Sequence, residues 1–94
     1  MAPEWYVRKP IKVQAVQLTK ENGEEVSEWI RESGQGARYL SDGRIDILGL
    51  HNIGWTRTVP GDWIVLGATG EFYPRKDDVF TQLYTPVKAK PIEE

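Results

Sequence analysis

Between Pro60 and Tyr84 the chain reads PGDWIVLGATGEFYPRKDDVFTQLY, a stretch richer in aromatics and turn formers than anything before it. Pro60-Gly61-Asp62 makes a turn before a strand from Trp63 to Leu66, and Gly67 to Gly70 return the chain through Glu71 to Tyr73. With Leu66 opposite Glu71, Trp63, Val65 and Phe72 share one face of this hairpin and Ile64, Leu66 and Tyr73 the other. Apolar residues on both faces demand a central or wrapped strand, covered on either side by a helix, a second layer or a partner. Pro74 is expected to end the second strand because it cannot donate to a ladder. Asp77 is placed to cap a short helix over about 77–83, with Val79, Phe80 and Leu83 turned inward, and Tyr84 to Val87 read as a final edge strand.

The rest of the chain must supply what this hairpin packs against. In IKVQAVQL, Ile11, Val13 and Ala15 alternate with polar residues before Val16 and Leu18 take over on the opposite parity. A strand does not change faces without a reason, so the segment predicts either a β-bulge near Ala15 and Val16 or coverage on both sides. One long helix is expected over about 23–33. Asn22 sits at its N-cap, Glu25 at the capping-box position, and Gly34 at the C′ stop. Val26, Trp29 and Ile30 form its apolar face, with Trp29 the expected anchor. Glu21, Glu25, Glu28 and Glu32 make an acidic stripe that reads as a solvated face, its early members favourable to the helix dipole. Asp42-Gly43 then joins two β-like runs, 37–41 and 44–48, as a hairpin, and a GLHNIG loop over 49–54 leads to a strand from Trp55 to Val59. The sum is an α+β domain: a curved, small barrel-like antiparallel sheet of about five to seven strands carrying one main helix and one short C-terminal helix. Residues 1–9 read as an arm, 10–87 as a single domain and 88–94 as a frayed tail.

At 94 residues, with twelve basic and fourteen acidic side chains, the chain has neither the length for two domains nor a polybasic footprint. Nucleic-acid binding is therefore disfavoured. No run approaches the roughly 20 apolar residues of a membrane-spanning helix. The N-terminal MAPEWYVRKP has charges and prolines where an export signal has its apolar core, so a cytoplasmic location is expected. The absence of cysteine removes disulfides, thiol nucleophiles and thiolate-bound zinc.

Chemistry has little to work with. His51 is the sole histidine and, beside Asn52, suits a turn better than general-base work. GLHNIG lacks the Lys-Ser or Lys-Thr of a phosphate loop. Asp77-Asp78 is ordinary helix-start composition rather than a cation site, and no metal or cofactor is assigned. The remaining candidate is a mixed aromatic and basic site: Trp55 and Arg57 on one strand, Tyr73, Arg75 and Lys76 at the exit of another. Guanidinium forks and aromatic faces suit a phosphate-bearing, base-containing small molecule, although the same residues also serve as rim packing and solubilising charge. The expectation is a binding protein, not an enzyme.

The PGDWIV, GEFYP and Asp-x-Phe elements with their closing tyrosine, preceded by KPIKVQAVQLTKENGEEV, resemble a family of small uncharacterised phage and prophage proteins, including ones from actinobacterial phages. The resemblance runs from Lys9 to Val87 and is most specific in its C-terminal part. Relatives are expected to carry a cysteine near Pro74 to Lys76, where this chain has Arg75, so it implies no thiol role here. What it implies is a phage accessory protein acting in the host cytoplasm. The residues themselves, apolar on both faces of the Trp63 and Phe72 hairpin and without a catalytic constellation, point to a protein that binds a host protein or a small anionic, nucleotide-like ligand, as a homo-oligomer. A virion or assembly component and a single-stranded nucleic-acid-binding module using Trp55, Arg57, Tyr73 and Arg75 are the alternatives.

Overall fold

The computed structural model describes residues 2–7, 11–49 and 54–87. Among the described residues, six strands and two helices follow in the order β1 (Gln14–Gln17), α1 (Gly23–Glu32), β2 (Ala37–Tyr39), β3 (Ile45–Leu48), β4 (Trp55–Thr58), β5 (Trp63–Leu66), β6 (Phe72–Arg75) and α2 (Asp77–Leu83). The α+β class is as the sequence pattern requires, but the strands form two three-stranded antiparallel sheets, β1-β5-β6 and β2-β3-β4, rather than one barrel-like sheet. Residues 84–87 add no strand. The expected turn at His51 and Asn52 and the tail over 88–94 lie outside the described residues.

Two tight turns set the registers. Leu40 to Arg44 and Gly67 to Glu71 share one geometry: the Gly43 and Gly70 N–H groups donate to the Leu40 and Gly67 carbonyls, and both glycines have positive φ, +95° and +91°. This is a type I turn followed by a left-handed bulge residue, a role glycine fills without a Cβ clash. The bulge advances the return strand by one position, so Phe72, not Glu71, opposes Leu66, and Tyr73 opposes Val65. The face assignment expected from the sequence is therefore inverted for β6. Ile64, Leu66 and Phe72 point to the core, while Trp63, Val65, Tyr73 and Arg75 share the outer face. β6 also runs through Pro74, which pairs with Ile64. An edge strand tolerates a missing donor.

β1 contains no bulge; its pairing with β5 is uninterrupted from Gln14 opposite Leu66 to Gln17 opposite Trp63. The change of parity has the other cause, coverage on both sides. Val16 and Leu18 join the core, and Ala15 lies opposite Val65 beneath the outer groove. The core itself draws Ile64 and Phe72 from one sheet, Leu18 from the residue just beyond β1, Ala37, Ile45 and Ile47 from the other sheet, and Val26 and Ile30 from α1. Ile30 is fully buried, whereas Trp29 is half-buried and meets Phe72 edge-to-face with centroids 4.8 Å apart. Ile30 and Val26 are thus the anchors of α1, with Trp29 a flanking contact.

At the start of α1 the Asn22 side chain makes no capping bond to the helix. Its Oδ1 accepts the Thr19 N–H at 2.8 Å and its Nδ2 donates to the Gln17 carbonyl at 3.0 Å, so it holds the preceding turn instead. In α2 no residue is buried: Val79 and Leu83 are exposed, and Phe80 alone turns in, stacking on Trp63 at 4.1 Å. The N-cap of α2 is Lys76, and Asp77 uses its carboxylate to accept the Trp63 indole N–H at 2.8 Å.

One buried polar residue ties the two sheets together. Gln35 donates from Nε2 to the Leu48 carbonyl at 2.9 Å and the Phe72 carbonyl at 3.1 Å, and its Oε1 accepts the Phe72 N–H at 3.0 Å. Its amide thus pairs with Phe72 as a neighbouring backbone would, at a position no strand reaches.

Candidate functional site

The five candidate residues separate onto two sheets. Trp55 and Arg57 lie on β4, while Tyr73 and Arg75 lie on β6. Lys76 faces neither group; it is largely exposed and its ammonium meets Asp62 at 3.3 Å. A single aromatic and basic site built from all five does not form.

On the β2-β3-β4 sheet, cross-strand register places Arg38, Asp46 and Arg57 side by side. Arg57 grips Asp46 with a two-pronged hydrogen bond, Nε to Oδ1 at 2.8 Å and Nη2 to Oδ2 at 3.0 Å. Arg38 adds a contact at 3.7 Å and lays its guanidinium 3.9 Å from the Trp55 ring centroid. The hydrogen bonds from Arg57 hold the Asp46 carboxyl below the usual aspartate range, against the opposing effect of its burial, and the same contact holds the Arg57 guanidinium more firmly charged. This cluster satisfies itself: the Arg57 fork is occupied by Asp46 and one face of Trp55 by Arg38.

On the outer face of the β1-β5-β6 sheet the arrangement is different. A groove of about 1270 Å3 runs between the sheet and the α2 segment, walled by Ile11, Val13, Trp63, Tyr73, Phe80 and Tyr84, with Arg75 in its lining. Aromatic rings form a continuous tier along it, Trp63 on Phe80 and Phe80 on Tyr84 at 4.8 Å, and the Tyr73 and Tyr84 hydroxyls approach to 3.4 Å. Arg75 holds its guanidinium 4.9 Å from the Tyr73 ring centroid, and its Nε is buried with no hydrogen-bond partner among the described residues. A buried guanidinium N–H without an acceptor is uncommon, because it forfeits the hydration it had in water.

No protein-family model, curated protein or solved structure matches the chain. Function has to be argued from geometry.

Among the described residues no three histidine, cysteine, aspartate or glutamate side chains gather to hold a metal, and no helix is long and apolar enough to cross a membrane. Tyr73 and Arg75 were legible as a pair from sequence, but Trp63, Phe80 and Tyr84 beside them were not. Placing Trp63 and Tyr73 on opposite faces hides the groove, and the signal that reveals it is the glycine bulge at Gly70. Arg38 was missed because its role depends on the strand register that sets it beside Asp46.

Proposed function

We propose that this protein works by binding rather than by catalysis, and that its ligand is a small anion with a flat apolar body, held in the groove on the outer face of the β1-β5-β6 sheet. The observation that carries the reading is the placement of Arg75: its guanidinium lies in the lining of this groove, over the Tyr73 ring and beside the stacked tier of Trp63, Phe80 and Tyr84. An anionic oxygen would pair with the Arg75 guanidinium fork, while Trp63, Tyr73 and Tyr84 present surfaces on which a planar ring system packs. At about 1270 Å3 the groove is larger than the roughly 300 to 1,000 Å3 of most small-molecule sites, so a small ligand would fill part of it. The phage-protein resemblance fits this reading, since an accessory protein acting in a bacterial cytoplasm can work by sequestering a ligand or occupying a partner without turnover. The single-stranded nucleic-acid reading is less well supported, because it needs Trp55 and Arg57 to be available and they are engaged by Arg38 and Asp46.

Two probes test the reading: adenosine 5′-monophosphate, and anilinonaphthalene sulfonate as an unrelated aromatic anion. Both should bind the wild type, and Arg75→Ala should weaken each by at least about tenfold, roughly the worth of one charge-assisted hydrogen bond. Arg57→Ala should leave binding unchanged. Equal affinities for wild type and Arg75→Ala, or no binding of either probe, would reject the reading.

A further inference from the structure

We propose that the free edge of β1 accepts, as an added fourth strand, the N-terminal arm of a second copy of this chain. This inference stands apart from the ligand reading, since it rests on a sheet edge rather than on the Arg75 groove.

The β1-β5-β6 sheet has two edges, and they are built differently. β6 is blunted by Pro74 and Arg75. β1, with the sequence Gln-Ala-Val-Gln, has no charge, no proline and no bulge, which are the usual devices that keep an edge from pairing, and no strand among the described residues pairs with its outer side. Its row of backbone donors and acceptors is a template for an extended segment. Beside it lies a trough of about 690 Å3 between β1 and α1, lined by Gln14, Val16, Glu25, Glu28, Trp29 and Glu32. A segment entering there meets backbone on one side, an indole below and three carboxylates along the helix.

The arm has the complementary composition. Glu4-Trp5-Tyr6-Val7-Arg8-Lys9 places three strong strand formers directly before two bases. In a single copy Trp5, Tyr6 and Val7 are 100, 86 and 91 % exposed, so the arm's apolar surface lies against nothing. Three consecutive large side chains left in water are the mark of a surface that a partner covers. A strand sets Tyr6 and Arg8 on one face and Trp5, Val7 and Lys9 on the other, so in either orientation one base stands on the helix side, toward Glu25, Glu28 and Glu32. Because each copy has one arm and one open β1 edge, reciprocal exchange closes into a two-fold pair with neither β1 edge left unpaired.

Sedimentation velocity of the full chain over a dilution series tests this. The expected result is a concentration-dependent dimer that weakens with added salt, since exposed opposite charges are screened. The double variant Arg8→Glu/Lys9→Glu should raise the dissociation constant at least about tenfold, as should Glu25→Lys/Glu28→Lys. Combining the two pairs in one chain should restore association, a rescue that a purely structural role for any of them would not produce. Trp5→Ala/Tyr6→Ala should weaken the dimer without changing the circular dichroism melt of the domain. A monomer at every concentration, a dimer indifferent to the arm substitutions, or failure of the combined charge reversal to restore association in chains that still melt normally would overturn the proposal. Trp5 protected within a monomer, meaning that the arm docks on its own chain, would overturn it too.

Discussion

Asp46 shows how one residue can make a basic surface look more available than it is. From sequence, Arg57 is a free cation next to Trp55; in the fold its guanidinium is clamped to a buried carboxylate whose own position follows from the hairpin register. The pH dependence that results can be signed. Asp46 has its carboxyl held below the ordinary value in the folded state, chiefly by the Arg57 hydrogen bonds, so folding favours the ionised form. That stabilisation is complete above the unfolded-state value, near pH 4, and is lost as the pH falls through the lower folded-state value. Asp42, held down mainly by its side-chain hydrogen bond with Arg44, contributes a slope of the same sign. Urea midpoints measured at neutral pH and near pH 3 should therefore differ by less in Asp46→Asn than in the wild type. Parallel pH profiles would mean that the Arg57 pairing contributes nothing to folding.

Among the elements, α1 and α2 are held in opposite ways, and the sequence conveyed one better than the other. The period of Val26, Trp29 and Ile30 located α1 and its buried side, since a regular apolar stripe depends only on local geometry. The weight given to Trp29 was misplaced: its size suggested an anchor, while the core is closed by the smaller, fully buried Ile30. For α2 the span was legible from Asp77 and the residues after it, but not the inward set. Val79 and Leu83 are exposed, while Phe80 takes the contact with the sheet by stacking on Trp63. The faces of β6 were illegible for a related reason, since a single bulge residue at Gly70 exchanges every side chain beyond it. Phe80→Ala should accordingly cost about 1 to 2 kcal/mol, below the range for a buried aromatic because half of the contact faces solvent. Its signature should be local: hydrogen exchange should lose protection in α2 while the α1 amides, held by Val26 and Ile30, stay protected. Uniform loss of protection in both helices would show that α2 belongs to the core after all.

At the scale of the molecule, two small sheets have been joined without a shared strand. Each three-stranded sheet contributes apolar residues to one cluster that α1 completes. The polar join is Gln35, whose amide bonds to Leu48 on one sheet and Phe72 on the other. No sequence pattern announces such a residue, because it acts through two backbones that only the finished fold brings together. Gln35→Ala would leave the Phe72 N–H and the two carbonyls without these partners in a buried site, which should cost about 2 to 4 kcal/mol in urea unfolding, a large part of the stability of a domain this size. Gln35→Glu should not rescue it, since a carboxylate supplies neither of the two N–H donations and adds a buried charge. If the sheets depend on each other as the common core implies, unfolding followed by tryptophan fluorescence and by far-ultraviolet circular dichroism should coincide in the wild type and in Gln35→Ala alike, the variant shifting in midpoint but not splitting. Two separated transitions in the variant would instead show that Gln35, rather than the apolar cluster, is what makes the two sheets one cooperative unit.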